Sequence, residues 1–262
     1  MEFTCKDYYN FEDLLKIMEI LRSENGCKWD RQQDHASIRR NFIEEVYEVC
    51  EAIDNNDSEL LKEELGDVLF QVVFHTEIEK EKGVFTIDDV ADGICKKMIY
   101  RHPHVFGNTA VSGTEEILAN WDELKKTEKH QKSAAETLDS VARSLPALIR
   151  ADKIQNKAAK AGFEWDSIDG AVAKVHEELD EVERALAGDG DVAEEIGDLL
   201  FAVAKIGRFR GVDPERALDN TCEKFIRRFT YVEQGAAKQG KTMEELTLTQ
   251  MGALWKEAKT QE

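Results

Sequence analysis

Glu44-Glu45-Val46-Tyr47-Glu48 is answered one helix later by Glu63-Glu64-Leu65-Gly66-Asp67-Val68-Leu69-Phe70. Both pieces return as Glu177-Glu178-Leu179-Asp180-Glu181 and Glu194-Glu195-Ile196-Gly197-Asp198-Leu199-Leu200-Phe201. Each half thus carries an acidic pair plus a Glu, and then Glu-x-x-Asp set in apolar text. Carboxylates beside core positions need a counter-charge, because burying unpaired charge is costly. A bound hard cation is the most economical one.

At about 100° per residue, the apolar stripe of the first acidic helix is Phe42, Ile43, Val46, Val49, Cys50 and Ile53. Glu45 flanks that stripe, Glu48 lies one step further round, and Glu44 points away. On the next helix the stripe is Leu61, Leu65, Val68, Leu69 and Val72, with Glu64 beside it and Asp67 one step out. In the second half Glu178 flanks Val172, Val175, Leu179, Val182 and Leu186, while Glu195 flanks Val192, Ile196, Leu199 and Val203. Glu181 and Asp198 take the outer positions. Side-by-side packing of the two helices would bring four carboxylates to the rim of each seam. One acidic pair alone reads as a solvated face; the same placement on four helices points to a ligand set. With oxygen donors only, that set suits Mg²⁺, with Mn²⁺ as the alternative, rather than zinc.

The chain has 262 residues, enough for two domains with cores of their own. A hydrophobic content of 42%, a charged content of 34% and only three prolines agree with long helices. The net charge of −19 argues against a nucleic-acid partner, which would need a basic face. Five scattered cysteines without CxxC spacing read as reduced thiols, neither a disulfide scaffold nor a zinc site. The first ten residues do not resemble a signal peptide, and no apolar run has the length of a membrane span. The expectation is a soluble, cytoplasmic protein without a membrane partner.

Periodicity and punctuation predict helices over 11–24, 37–53, 59–81, 90–101, 115–129, 146–161 and 169–187. Further helices are expected up to Arg208, from Pro214, and around Trp255 and Lys259. Gly26-Cys27-Lys28-Trp29-Asp30 is matched by Gly162-Phe163-Glu164-Trp165-Asp166, so the chain is one long internal duplication, 1–136 and 137–262. No stretch alternates convincingly with period two. The fold class is all-α: two tandem helical repeats, each contributing to a four-helix-bundle-type core.

Each half also offers a Lys and an Arg one turn apart (Lys97 and Arg101; Lys224 and Arg228) and a Trp with a Lys one turn on (Trp121 and Lys125; Trp255 and Lys259). Metal held by carboxylates commonly bridges phosphate oxygens, Lys and Arg neutralise phosphate charge, and Trp can stack a base. Together these parts suggest a nucleoside polyphosphate held by metal. Plainer readings stand beside each: a salt-bridged face for the Lys/Arg pair, a core plug for Trp255, and a helix-ending turn for His102-Pro103-His104. Neither a P-loop nor a GxGxxG cradle is present, and no Ser/His/Asp or Cys/His nucleophile stands out. Chemistry would then rest on metal-activated water.

EExxE followed by ExxD on paired helices resembles the all-α nucleoside triphosphate pyrophosphohydrolases. Gly26-Cys27-Lys28-Trp29-Asp30, Glu63-Glu64-Leu65-Gly66-Asp67, the run from Lys97 through Arg101-His102-Pro103-His104-Val105-Phe106-Gly107, and the tandem duplication look like the MazG family. The resemblance, from about Phe11 to Lys259, implies hydrolysis of nucleoside triphosphates to the monophosphate and pyrophosphate, with a role in nucleotide-pool cleansing and the stress response. It implies that Glu178, Glu181, Glu195 and Asp198 hold Mg²⁺ and form the catalytic set, with Glu45, Glu48, Glu64 and Asp67 as a second metal site. It also implies that Lys174, Lys224 and Arg228 bind phosphates, with Glu177 and Arg227 in the same substrate-binding set, and that Trp255 and Lys259 close the nucleotide site. A homodimer that completes the bundles is the expected assembly.

The second half is the expected catalytic one. Lys174 stands where the first half has Asn41, and Arg227-Arg228 where it has Tyr100-Arg101. The first half keeps its acids with less positive charge for a triphosphate, which fits slow turnover or a role in dimerisation. Two alternatives remain: a metal-stabilised helical interaction module without activity, and a narrower enzyme of the same superfamily.

Overall fold

The computed structural model describes residues 3–109, 111–128 and 133–261. Among the described residues there are helices and no strand. The chain divides into two compact units, Met1–Asp122 and Glu123–Glu262.

In the first unit α1 (Phe11–Arg22), α2 (Arg39–Asn55), α3 (Ser58–Glu81), α4 (Ile87–Arg101) and α5 (Pro103–Phe106) follow one another, and α6 (Thr114–Glu128) lies across the division of the sequence. The ends obey local chemistry. Asn10 and Thr86 form capping boxes with Asp13 and Asp89, and Asp57 accepts from the amides of Glu59 and Leu60. Asp89 thus serves where Glu is usual. Gly26 is needed where the chain doubles back, since a Cβ there would sit 2.2 Å from the carbonyl oxygen of Ile20. His102 closes α4, its Nδ1–H donating to the Met98 carbonyl at 2.6 Å, and Pro103 opens α5. The helix-ending turn is therefore the reading that holds for this His-Pro-His stretch.

α2 lies along α3, and α1 packs on α3 as well. Met18, Ile38, Val73, Phe74 and Ile78 form the core, backed by Leu14, Leu15 and Phe70. Arg22 ties this end together: its guanidinium is bidentate to Glu81, donates to the Asp30 carbonyl at 2.6 Å and lies 5.2 Å from the Phe74 ring centre.

The second unit holds α7 (Ala134–Asp139), α8 (Ala147–Lys160), α9 (Ile168–Leu186), α10 (Val192–Phe209), α11 (Pro214–Lys238) and α12 (Leu248–Lys259). Ser167, Asp191 and Asp213 cap α9, α10 and α11, with Pro214 at the first turn of α11. α9 pairs with α10, α8 packs on both α10 and α11, and α12 packs on α11 through Val232, Ala236, Leu246 and Leu254. Of the sequence expectations, Lys129 at the end of the sixth helix and residues 129–132 of the charge-dense run lie outside the described residues.

The ten expected helices stand where periodicity put them, and α5 and α7 are short ones it did not predict. Of the apolar stripes only part is packed, with Phe42, Val49, Leu61, Val68, Val72, Val175, Val182 and Leu199 half-buried. Ile43, Val46 and Ile53 on α2, Leu65 and Leu69 on α3, Val172, Leu179 and Leu186 on α9, and Ile196 and Val203 on α10 are all exposed. The seams instead follow lines of residues seven apart. Ile38, at the N-cap of α2, and Ala52 bracket Glu45, against Glu64, Gln71 and Ile78 on α3. Ala171, Glu178 and Ala185 line α9, and Ala202 lines α10 seven residues after Glu195. Small side chains allow close approach of paired helices, and the carboxylates sit at the middle of the line.

Candidate functional site

In the second unit one carboxylate oxygen from each of Glu178, Glu181 and Glu195 lies within 4.8 Å of the others. The seam explains this: Glu178 is flanked by Ala171 and Ala185, which draw α9 against α10 and leave it only 4% exposed. Its Oε1 meets the Lys174 ammonium at 2.6 Å, and its Oε2 is buried without a hydrogen-bond partner. Lys174 also donates to Glu177 at 2.7 Å, and the two carboxylates hold its ammonium protonated well above the usual lysine range. Arg184 pairs with Glu181 at 3.0 Å. Burial pushes the Glu195 carboxyl above its ordinary range, and the charges of Glu181, Glu194, Asp198 and Glu178 add to that push.

The first unit repeats the cluster with Glu45, Glu48 and Glu64, again within 4.8 Å. Burial raises the Glu45 carboxyl, and a side-chain hydrogen bond with Glu48 and the charge of Asp67 raise it further. Glu64 is raised by burial first and then by Glu48 and Asp67. Sharing protons is how crowded carboxylates avoid repulsion when no cation is near.

Asp67 and Asp198 are exposed and stand outside the two close groups, although their charge is felt by the neighbouring glutamates. Glu177 is exposed and bound to Lys174. Lys224, Arg227 and Arg228 lie on α11, with the Arg228 guanidinium 5.9 Å from the ring centre of Trp255 on α12. Phe225 adds a tilted ring contact with Trp255 at 5.1 Å, so Trp255 is both half-buried and backed by a cation. Lys259, one turn on, is exposed.

Sequence reasoning passed over a basic pair, one member buried and the other half-buried. Lys205 and Arg208 on α10 share Glu164, with Lys205 Nζ 2.8 Å from Glu164 Oε1 and 5.3 Å from the Trp165 ring centre. Burial lowers the Lys205 ammonium below its ordinary range. The signal was present, since two cations three residues apart interrupt an apolar helix and an acid precedes the Trp. Gly170 makes room for that Trp, because a Cβ there would lie 2.5 Å from its Cδ1. In the first unit His35 and His75 were likewise passed over; His35 Nε2–H donates to Glu79 at 2.6 Å, and the two δ nitrogens stand 2.7 Å apart.

Both acidic clusters fit a divalent hard cation. Their donors are all oxygen, no His or Cys joins either among the described residues, and the buried unpartnered Oε2 of Glu178 has an unmet need for positive charge.

The description "MazG nucleotide pyrophosphohydrolase domain" matches this chain twice, over residues 33–106 and 167–232. Each match encloses one cluster. A Thermotoga maritima protein named nucleoside triphosphate pyrophosphohydrolase/pyrophosphatase MazG is 43% identical over 249 residues, 95% of each chain. An Escherichia coli protein named nucleoside triphosphate pyrophosphohydrolase is 43% identical over 254 residues, 95% of this chain and 97% of that one. The uncharacterized Bacillus subtilis protein YabN is 44% identical over 258 residues, 97% of this chain but 53% of its own length.

Proposed function

This chain belongs to the MazG family, and from that premise we propose that it is a nucleoside triphosphate pyrophosphohydrolase working through Glu178, Glu181, Glu195 and Asp198 of its second unit. The observation that carries the assignment is the buried Glu178 carboxylate, one oxygen on Lys174 and the other unpartnered beside Glu181 and Glu195. Mg²⁺, or Mn²⁺ in its place, would be held by these carboxylates and would supply charge neutralisation and a more acidic water.

The chain's own part is binding and orientation. Lys174, Lys224 and Arg228 neutralise phosphate oxygens, with Glu177 and Arg227 at the edge of the same set. Trp255 offers an aromatic face to the nucleotide and Lys259 closes beside it. In-line attack of water on the α phosphorus then breaks its bond to the bridging oxygen and releases the monophosphate and pyrophosphate. Removing triphosphates in this way fits nucleotide-pool cleansing and a part in the stress response.

The two repeats, 1–136 and 137–262, differ in cations. Lys174 sits on Glu178, whereas Asn41 holds the matching place before Glu45. We therefore assign turnover to the second unit. The exposed apolar stripes of α2, α3, α9 and α10 support a homodimer in which a second copy completes each bundle. The acidic net charge of −19 gives nucleic acid no basic face, and no helix among the described residues is long and apolar enough to cross a membrane. A cytoplasmic enzyme fits these properties.

Product analysis of a panel of nucleoside triphosphates, with and without Mg²⁺, is the test. The expected result is metal-dependent monophosphate plus pyrophosphate, reduced by about 10³-fold or more in Glu178→Gln and far less in Glu45→Gln. Diphosphate plus phosphate would contradict the bond assigned, turnover of one nucleotide alone would mark the narrower enzyme, and equal losses in the two variants would contradict the division of labour.

A further inference from the structure

α9 and α10 form an antiparallel hairpin, and the carboxylates meet between its turn and its open end. The turn at residues 187–191 joins the helices at one end. The seam between the ends is lined by Ala171, Ala185 and Ala202. Methyl groups permit close approach, but each buries little surface and resists sliding or splaying only weakly. The open end therefore needs a tie of its own.

Lys205 supplies that tie. It lies ten residues after Glu195, about 15 Å further along α10, and it is buried. Its ammonium reaches Glu164 at 2.8 Å and lies 5.3 Å from the ring centre of Trp165. Both partners stand in the loop that leads into α9. Trp165 rests on Gly170 in the first turn of α9, where an added Cβ would come within 2.5 Å of the ring. Arg208, three residues on, pairs with the other oxygen of Glu164. From α8, Gln155 donates to the Phe201 carbonyl at 2.7 Å, one turn before Lys205. A buried ammonium is costly without its partner, so the loop does not leave Lys205 freely.

The first unit ties the same end by another route. Phe74 stands ten residues after Glu64, where the second unit has Lys205. There the cation comes from α1. Arg22 lies over Phe74 and donates to the carbonyls of Asp30 and Gln33, in the stretch that leads into α2, at 2.6 and 3.2 Å. In both repeats a cation on an aromatic ring thus joins the Trp-Asp loop to the second acidic helix, with no residue of the pair in common. A junction rebuilt from different side chains marks the tie itself as what the helix pair requires.

We propose that Lys205 is a positioning residue: through Glu164 and Trp165 it clasps the open end of the α9–α10 hairpin and so holds Glu178 and Glu181 close to Glu195. Its effect on turnover rests on the pyrophosphohydrolase reading; its effect on the carboxylate cluster does not.

The test compares Lys205→Met, Lys205→Arg and Arg22→Met in the full chain. Lys205→Met should lower kcat by about 10- to 100-fold and raise the Mg²⁺ concentration for half-maximal rate by a similar factor. KM for the triphosphate at saturating Mg²⁺ should change little, because Lys224, Arg228 and Trp255 are untouched. Lys205→Arg keeps the cation and should restore most of the loss. Arg22→Met opens the corresponding junction of the first unit; it should lower the melting temperature and leave kcat unchanged, which separates positioning from general destabilisation. Free Mn²⁺ read by electron paramagnetic resonance needs no activity: Lys205→Met should weaken binding, and should make no further difference once Glu178→Gln is present. Should Lys205→Met fail to fold by circular dichroism, Glu164→Gln takes its place, with Glu164→Asp as the conservative counterpart. Unchanged kcat and Mg²⁺ requirement, an equal loss of kcat in Arg22→Met, no rescue by the conservative variant, or Mn²⁺ binding that is unaffected or weakened equally in the Glu178→Gln background would overturn the proposal. Absence of pyrophosphate release by the unsubstituted chain would instead refute the activity, and the Mn²⁺ comparison would then decide the clasp alone.

Discussion

Glu195 and Lys174 show what a single residue contributes and how pH acts on it. Burial and neighbouring acids raise the Glu195 carboxyl above its ordinary 4.5 in the folded chain. A raised value means that folding favours the protonated form: this contribution to stability is fully present below about 4.5 and is lost as pH rises through the elevated value. The metal-free chain should therefore gain stability as pH falls from neutral toward 5, less so in Glu195→Gln, as thermal melts in EDTA would show. A cation takes only the ionised carboxylates, so its binding should release protons. Calorimetry in two buffers of different ionisation enthalpy should give different apparent heats, and equal heats would contradict proton release. That Glu195 is an acid beside an apolar stripe was legible in the sequence. That Glu178 and Glu181 would meet it across the helix pair was legible too; how closely each approaches was not, because that depends on the fit between two helices.

The longer helices were legible because their signals are local: apolar spacing near 3.6, Asp57, Asp191 and Asp213 as caps, and Gly83 in a left-handed conformation at φ 70° after α3. Helices α5 and α7, of four and six residues, are too short to show a period. The face that each longer helix buries was less so. The apolar stripe dominates a helical wheel, yet α9 meets α10 along Ala171, Glu178 and Ala185. A seam built on alanine tolerates little added volume. Ala185→Leu should destabilise the chain by about 1–3 kcal/mol through overpacking, measured by urea unfolding. It should also weaken metal binding by spreading Glu178 from Glu195. Unchanged stability would mean that the seam is looser than its 4% exposure at Ala185 indicates.

For the whole molecule, the exposed apolar residues are too many and too ordered to be incidental. Leu179, Leu200, Phe225 and Phe229 in the second unit, and Ile43, Val46, Leu65 and Leu69 in the first, are solvent-exposed in the single chain. Sedimentation at micromolar concentration should find a dimer. Leu200→Lys, at a position outside the candidate site, should weaken it by about tenfold or more. A monomer at all concentrations would remove the reason given for these stripes.

The sequence by itself determined the all-α class, the duplication, the helix limits and the oxygen-only ligand types, because each depends on residues within a few turns of one another. Only the tertiary structure decided which line of each helix packs, that three carboxylates and not four close up within 4.8 Å, and that Lys205 and Arg208 converge on Glu164. Those outcomes depend on side chains brought together from different helices, where steric fit between small residues outweighs the hydrophobic pattern of any helix taken alone.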